Sequence, residues 1–289
     1  MNKRLIPGIL AVLLLASTFT VLSCTEPATE PSTDVMAGSS LIGNIIEDVA
    51  GDKVETYTLI PPGVCPGHYD VKPSDIETLA NSEALFIHDY QQYFQNINGA
   101  VEAAENPNLV ITVLNVTGNW MVPSVQAEAV DRISQALGDL DPENAAYYQQ
   151  RAADREQAIL AKGEDVKDEV EGAGVDGVKV LCADMQVGFV QWAGFDIVAT
   201  YGRPEDLTPA QIADLIAEAQ EAGVALIIDN LQSGSATLGA AIEQDVEATP
   251  VTISNFPGGL EDTETWEQAI DKNVDLLVAA LNAWQEQYG

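Results

Sequence analysis

His68 stands in a run of residues that would hold an imidazole still: Pro61-Pro62-Gly63-Val64-Cys65-Pro66-Gly67-His68-Tyr69-Asp70, followed by Lys72-Pro73-Ser74-Asp75. The chain has two histidines. This one comes just after the apolar, strand-like run Tyr57-Thr58-Leu59-Ile60. Prolines fix φ, and a Pro/Gly loop at the end of a strand is stiff and faces solvent. Such a loop presents the ring in one orientation, as a metal or ligand site requires; it can equally carry a surface histidine with no role. The second imidazole, His88, ends the apolar run Ala84-Leu85-Phe86-Ile87. Beyond Cys24 the thiols are Cys65 and Cys182, both after strand-like runs. They can form a disulfide, a soft-metal pair or two buried thiols. Spacing does not choose, because a disulfide needs Cα atoms within ~7 Å.

The same residue inventory argues against an enzyme. There is no nucleophile elbow, no His-Glu-x-x-His and no glycine-rich phosphate loop. Two histidines leave little for general acid–base work. The formal charge is −33, a surface that repels nucleic acid and anionic lipid headgroups, so neither is expected as a partner.

The N-terminus sets the compartment. Lys3 and Arg4 precede an apolar stretch from Leu5 to Leu22, and Val21-Leu22-Ser23-Cys24 resembles a lipobox, with Cys24 as the lipidated residue. Residues 1–23 are therefore expected to be a lipoprotein signal peptide, and the rest of the chain to lie outside the cytoplasm, in a periplasm or on the cell surface. Residues 24–38, rich in Pro, Thr, Ser and Glu around Glu26–Gly38, are expected to be a tether.

The remainder reads as α/β, in two lobes with parallel sheets. In the N-terminal lobe, residues 39–142, a helical period over Leu41–Val49 precedes strands at 54–60, 84–88 and 109–114. A short helix begins at Pro73, and an amphipathic one spans 125–140. Residues 143–172 form the linking helix. Its stretch from Ala145 to Val170 holds no proline and one glycine, Gly163, and at ~1.5 Å per residue spans roughly 39 Å, enough for a rigid strut between lobes. The C-terminal lobe, residues 173–289, repeats the alternation, with strands at 179–182, 195–199, 224–230 and 250–253 and a terminal helix over 263–288. In open α/β sheets ligands bind at the carboxyl ends of strands. Those ends carry Cys65, His68, His88 and Asp89, Thr117-Gly118-Asn119, Asp184-Met185, Asp229-Asn230 and Asn255. They come from both lobes, so the expected site is the cleft between them.

This order of elements resembles the metal-binding solute receptors of ABC importers, the zinc/manganese receptor family whose lobes are joined by a helical backbone. The resemblance covers about residues 39–289. It rests on Pro61-Pro62-Gly63 with His68 and Pro73-Ser74-Asp75-Ile76, similar to the family's first ligand loop. It rests also on Leu140-Asp141-Pro142-Glu143-Asn144-Ala145-Ala146-Tyr147-Tyr148, similar to the start of the backbone helix, and on Asp229, where the family places its last acidic ligand. Two ligand positions depart. The family's second histidine precedes a Trp-x-x-Pro stretch, and here Gly118-Asn119-Trp120-Met121-Val122-Pro123 has none. Its third falls near Ala183, among Cys182, Asp184 and Met185.

The resemblance thus implies His68 and Asp229 as metal ligands facing each other across the cleft, with His88, Cys65 and Cys182 as substitutes. Two imidazoles and a carboxylate suit zinc; two thiolates and an imidazole, with Met121 or Met185, suit Cu(I). Cys182, Met121 and Met185 serve as readily as core. The implied function is a monomeric, lipid-anchored receptor that captures a divalent ion, zinc or manganese, as transported ligand. It delivers the ion to an ABC permease and its ATPase. The alternative is a receptor of the same fold for a metal chelate or another small non-metal ligand, hydrogen-bonded by Asn230-Leu231-Gln232-Ser233-Gly234 and Asn255-Phe256-Pro257-Gly258-Gly259.

Overall fold

The computed structural model of the chain describes residues 33–233, 238–243 and 245–289; the signal segment and Cys24 lie outside them. Strand and helix periods that alternate along the chain fold as parallel sheets, because a parallel pair needs a crossover long enough to return the chain to the same edge. In the first lobe β1 (Thr33–Ala37), β2 (Val54–Thr58), β3 (Ala84–His88) and β4 (Val110–Leu114) lie in the order β2-β1-β3-β4. Their helices are α1 (Ser40–Ala50), α2 (Pro73–Asn81), α3 (Gln95–Ala104) and α4 (Pro123–Leu140). After α5 (Ala145–Gly172), the second lobe places β5 (Lys179–Ala183), β6 (Asp196–Tyr201), β7 (Leu226–Asn230) and β8 (Thr249–Ile253) in the matching order β6-β5-β7-β8. Its helices are α6 (Val187–Ala193), α7 (Pro209–Ala222), α8 (Leu238–Ile242) and α9 (Trp266–Tyr288). Among the described residues all six strand pairings are parallel.

The expected tether is corrected here. Its last residues form β1, the central strand of the first sheet, with Val35 paired to Thr56 on one side and Ala84 on the other. Val35 and Ala37 enter the main core, while Met36 enters the cluster on the opposite face. A strand buried on both faces carries no polar alternation, and five residues after a Pro/Ser/Thr run offered no period to read.

The linking segment is one unbroken helix of 28 residues, about 42 Å long. Its buried residues, Tyr148, Ala152, Ile159, Gly163, Val166 and Val170, make a narrow stripe against the core. Gly163 does not interrupt it. A Cβ at that position would lie 2.5 Å from the Pro123 ring, so the glycine lets the start of α4 press against α5. Charged residues tie α5 to both lobes. Arg155 pairs with Asp48 of α1 at 2.8 Å and with Glu267 of α9, and Lys162 reaches Asp271 of α9 at 2.6 Å. One continuous apolar core runs from β1 and α1 through Trp120 to Trp266 and α9. The lobes are thus braced by packing as well as by the strut.

Candidate functional site

Each sheet reverses its winding between its first and third strands, β1/β3 and β5/β7, and the carboxyl ends at such a switch point open a crevice. Both crevices face one cleft of about 680 Å³ between the lobes. Leu41, His88 and Asp89 reach it from the first lobe; Asp184, Met185 and Asn230 reach it from the second.

Amides link the lobes in this cleft. Asn119 Nδ2 donates to Asn255 Oδ1 at 2.7 Å and to the Met185 carbonyl at 3.0 Å, while its Oδ1 accepts from Met121 N. Asn255 Nδ2 donates in turn to the Met185 carbonyl and to Asn230 Oδ1, which also accepts from Gln186 Nε2. Gln232 Nε2 bridges Pro62 O of the first lobe and Ser254 Oγ of the second. Thus the two positions at which the resemblance leads one to expect histidines, before the Trp-x-x-Pro stretch and after β5, meet each other through a neutral hydrogen-bonded clasp. Metal-ligand chemistry did not single out Asn119 and Asn255, because an amide is no metal ligand of choice; Asn255 entered only in the alternative of a hydrogen-bonded non-metal ligand. The signal available in sequence was their place at strand ends.

Rings line the first-lobe side. His88 stacks on Tyr90 at 5.1 Å and 10°, meets the edge of Trp120 at 4.3 Å, and lies 6.4 Å from Phe256 of the second lobe. Tyr90 packs against Phe94. His88 is 3 % exposed, and its Nε2 shares a 2.8 Å hydrogen bond with Ser39 Oγ, the side chain that caps α1 by accepting from Ile42 N. Burial pushes the His88 pKa down to about 3. The folded protein therefore keeps His88 neutral while the unfolded chain takes a proton near pH 6.5. Because the unfolded state binds more protons, this term is fully present above pH 6.5 and is lost as pH falls toward 3. Between pH 7.5 and 5.5 it removes about 1.4 kcal/mol. Urea titrations at the two pH values should show that loss in the native chain and a smaller one in His88→Gln. An equal loss in both would place the titrating group elsewhere.

The expected metal ligands are dispersed. His68 is exposed, and its Nδ1 accepts from Arg203 Nη1 at 3.0 Å across the lobes, with the same guanidinium held by Glu205 at 2.8 Å. Asp229 is 3 % exposed and turned into its own lobe. Its carboxylate accepts from Tyr201 Oη at 3.0 Å, Leu238 N at 3.0 Å and Gly239 N at 3.2 Å. Burial raises its pKa against the pull of these three donors. Asp229 therefore braces β6 and caps α8, and the expected facing pair His68–Asp229 is not assembled. Cys182 is fully buried, with Sγ against the Ala183 carbonyl; burial, helped by the charge of Asp184, pushes its pKa up to about 12, far from a thiolate. Cys65 lines the cleft, and both thiols are free. Met121 is core, whereas Met185 is 63 % exposed in the cleft. Among the described residues no three His, Cys, Asp or Glu side chains converge as a metal site.

Two parallel α/β lobes on a shared core and backbone helix, with one cleft where both switch points meet, define a cleft-type solute receptor. The chain belongs to the ZnuA family, zinc-uptake complex component A periplasmic, which matches residues 35–280. Members of this family are substrate-binding proteins of ABC transporters, not enzymes. The chain is 20 % identical over 265 residues to the manganese-binding lipoprotein MntA of Halalkalibacterium halodurans, covering 86 % of this chain and 88 % of that one. It is 20 % identical over 238 residues to the metal ABC transporter substrate-binding lipoprotein SsaB of Streptococcus sanguinis, covering 72 % and 76 %. Its fold is similar to the periplasmic zinc binding protein TroA of Treponema pallidum, with a TM-score of 0.69 at 16 % identity over 86 % of this chain and 99 % of that one. A periplasmic metal binding protein of Candidatus Liberibacter asiaticus gives 0.70 at 17 % identity, with the same coverage.

Proposed function

We propose that this protein is the cargo receptor of an ABC importer, anchored outside the cytoplasm by a lipid on Cys24, and that it captures a small organic molecule or a metal already held by one. It hands this cargo to a membrane permease driven by its ATPase. The observation that carries the reading is the cleft itself: about 680 Å³, walled by rings and closed by amides, with no convergent ligating triad among the described residues. Zinc needs at least three protein ligands to be held in an open site. A cargo that brings its own donors does not. The family supports the importer role, and the names of the relatives, which include manganese and iron receptors, support a metal within the cargo. The braced α5 favours small shear motions over wide hinge opening.

The test is elemental analysis and native mass spectrometry of protein purified without chelator, followed by calorimetric titration with zinc and manganese salts. Bare ions are expected to bind more weakly than about 1 µM, and any bound mass is expected to include an organic component. Stoichiometric bare-ion binding at nanomolar affinity would return the assignment to a naked-ion receptor. Separately, Cys24→Ser should move the protein from the membrane fraction to the soluble one; retention in membranes would mean a different anchor.

A further inference from the structure

The charge inside the cleft narrows the cargo further, on the reading that the cargo is organic or chelated. Asp89 and Asp184 line the cleft, and among the described residues neither has a lysine or arginine within ion-pair distance. The one cationic side chain lining it among the described residues, Arg203, is already matched by Glu205. His88 is neutral at physiological pH. The amides of Asn119, Asn230 and Asn255 hydrogen-bond one another and carry no charge. The cleft is therefore net negative, inside a chain of formal charge −33.

The rings add to this in the same sense. Tyr90, Phe94, Trp120 and Phe256 line the cleft; a ring face is the negative part of an aromatic quadrupole, and one face of Tyr90 is covered by His88. Tyr90 keeps 40 % of its surface open. A bare divalent ion is strongly hydrated and gains little from rings, and among the described residues no third His, Cys, Asp or Glu converges with Asp89 and Asp184 to hold it. A bulky cation with spread charge loses little water and gains from each ring it covers. An anionic ligand would meet two uncompensated carboxylates.

We infer that the cargo is a bulky, weakly hydrated cation, either an organic ammonium or a positively charged metal chelate, seated on the rings of Tyr90, Trp120 and Phe256 and balanced by Asp89 and Asp184. The full chain in detergent is titrated with choline and benzyltrimethylammonium beside their neutral carbon isosteres, dimethylbutanol and neopentylbenzene. Zinc–bipyridine, zinc–EDTA and bare zinc and manganese complete the set. The cationic probes should bind at least about tenfold tighter than the neutral and anionic ones. Tyr90→Leu should weaken the cationic probes about fivefold, and Tyr90→Phe should restore them. Asp184→Asn should weaken cations and leave the isosteres unchanged. Whether ammonium or zinc–bipyridine binds better separates the two sources of the charge. If the cationic probes bind no better than their isosteres, including the case in which none of these binds, the inference is overturned. If the neutral or anionic probes are the ones that bind, the organic-cargo reading survives its failure. Tight uptake of bare zinc or manganese with no binding of any organic probe would overturn both.

Discussion

Asp229→Ala will cost the fold about 3–5 kcal/mol, and Asp229→Asn about 1–2 kcal/mol. The carboxylate is buried and accepts from three donors: the Tyr201 hydroxyl and the backbone N–H groups of Leu238 and Gly239. Alanine leaves the two backbone N–H groups without an acceptor, while the Tyr201 hydroxyl keeps the Ile228 carbonyl at 2.8 Å; each unpaired buried donor costs about 1–3 kcal/mol. Asparagine retains one carbonyl oxygen and loses the charge that strengthens the bonds. Urea denaturation of both variants, with cleft affinity measured on the folded fraction, checks this. A metal ligand would behave in the opposite way: removing it relieves burial of a charge while abolishing ion binding. Unchanged stability with lost zinc affinity in Asp229→Ala would sink the structural role given to this residue.

Trp266→Ala will also be severe, about 3–5 kcal/mol, the range for deleting a large ring from a packed core. Trp266 is fully buried at the start of α9, and its Nε1–H donates to the Trp120 carbonyl at 3.0 Å. The ring therefore fills the core shared by the lobes and fixes the backbone of the Trp120 that walls the cleft. Trp266→Phe retains most of the packing but not the hydrogen bond. It is expected to cost less stability, yet still to weaken cleft binding by shifting Trp120. Denaturation midpoints and a cleft titration on each variant separate packing from positioning. A cost under about 1 kcal/mol for the alanine variant would mean that the lobes do not share a core.

What could be read along the chain was whatever is local and periodic. The 28-residue α5 announced itself by a long stretch without proline, and β3 and β7 by short apolar runs bounded by polar residues. Two rounds of strand–helix alternation imply two parallel sheets, because parallel pairing leaves no other short connection. In the structure Thr208 and Thr265 cap α7 and α9, each side chain accepting from the backbone N–H three residues on. β1 was missed for the converse reason. Its burial comes from β2 and β3, tens of residues away, and its own five residues do not alternate.

For this protein, then, the sequence by itself determined the α/β class, the two lobes, the strut and the edge at which a ligand must sit, since each follows from periodicity and strand direction. Tertiary structure alone decided which residues of that edge face the cleft. Asp229 and Asn230 are neighbours at the end of β7, yet alternation sends one side chain to Tyr201 and α8 and the other to the amide clasp. Asn119 and Asn255, 136 residues apart, become partners only when the lobes close on one another. Hydrogen-bond partners and burial are properties of the packed chain, and they set Asp229 against Tyr201 and the start of α8 and His68 against Arg203.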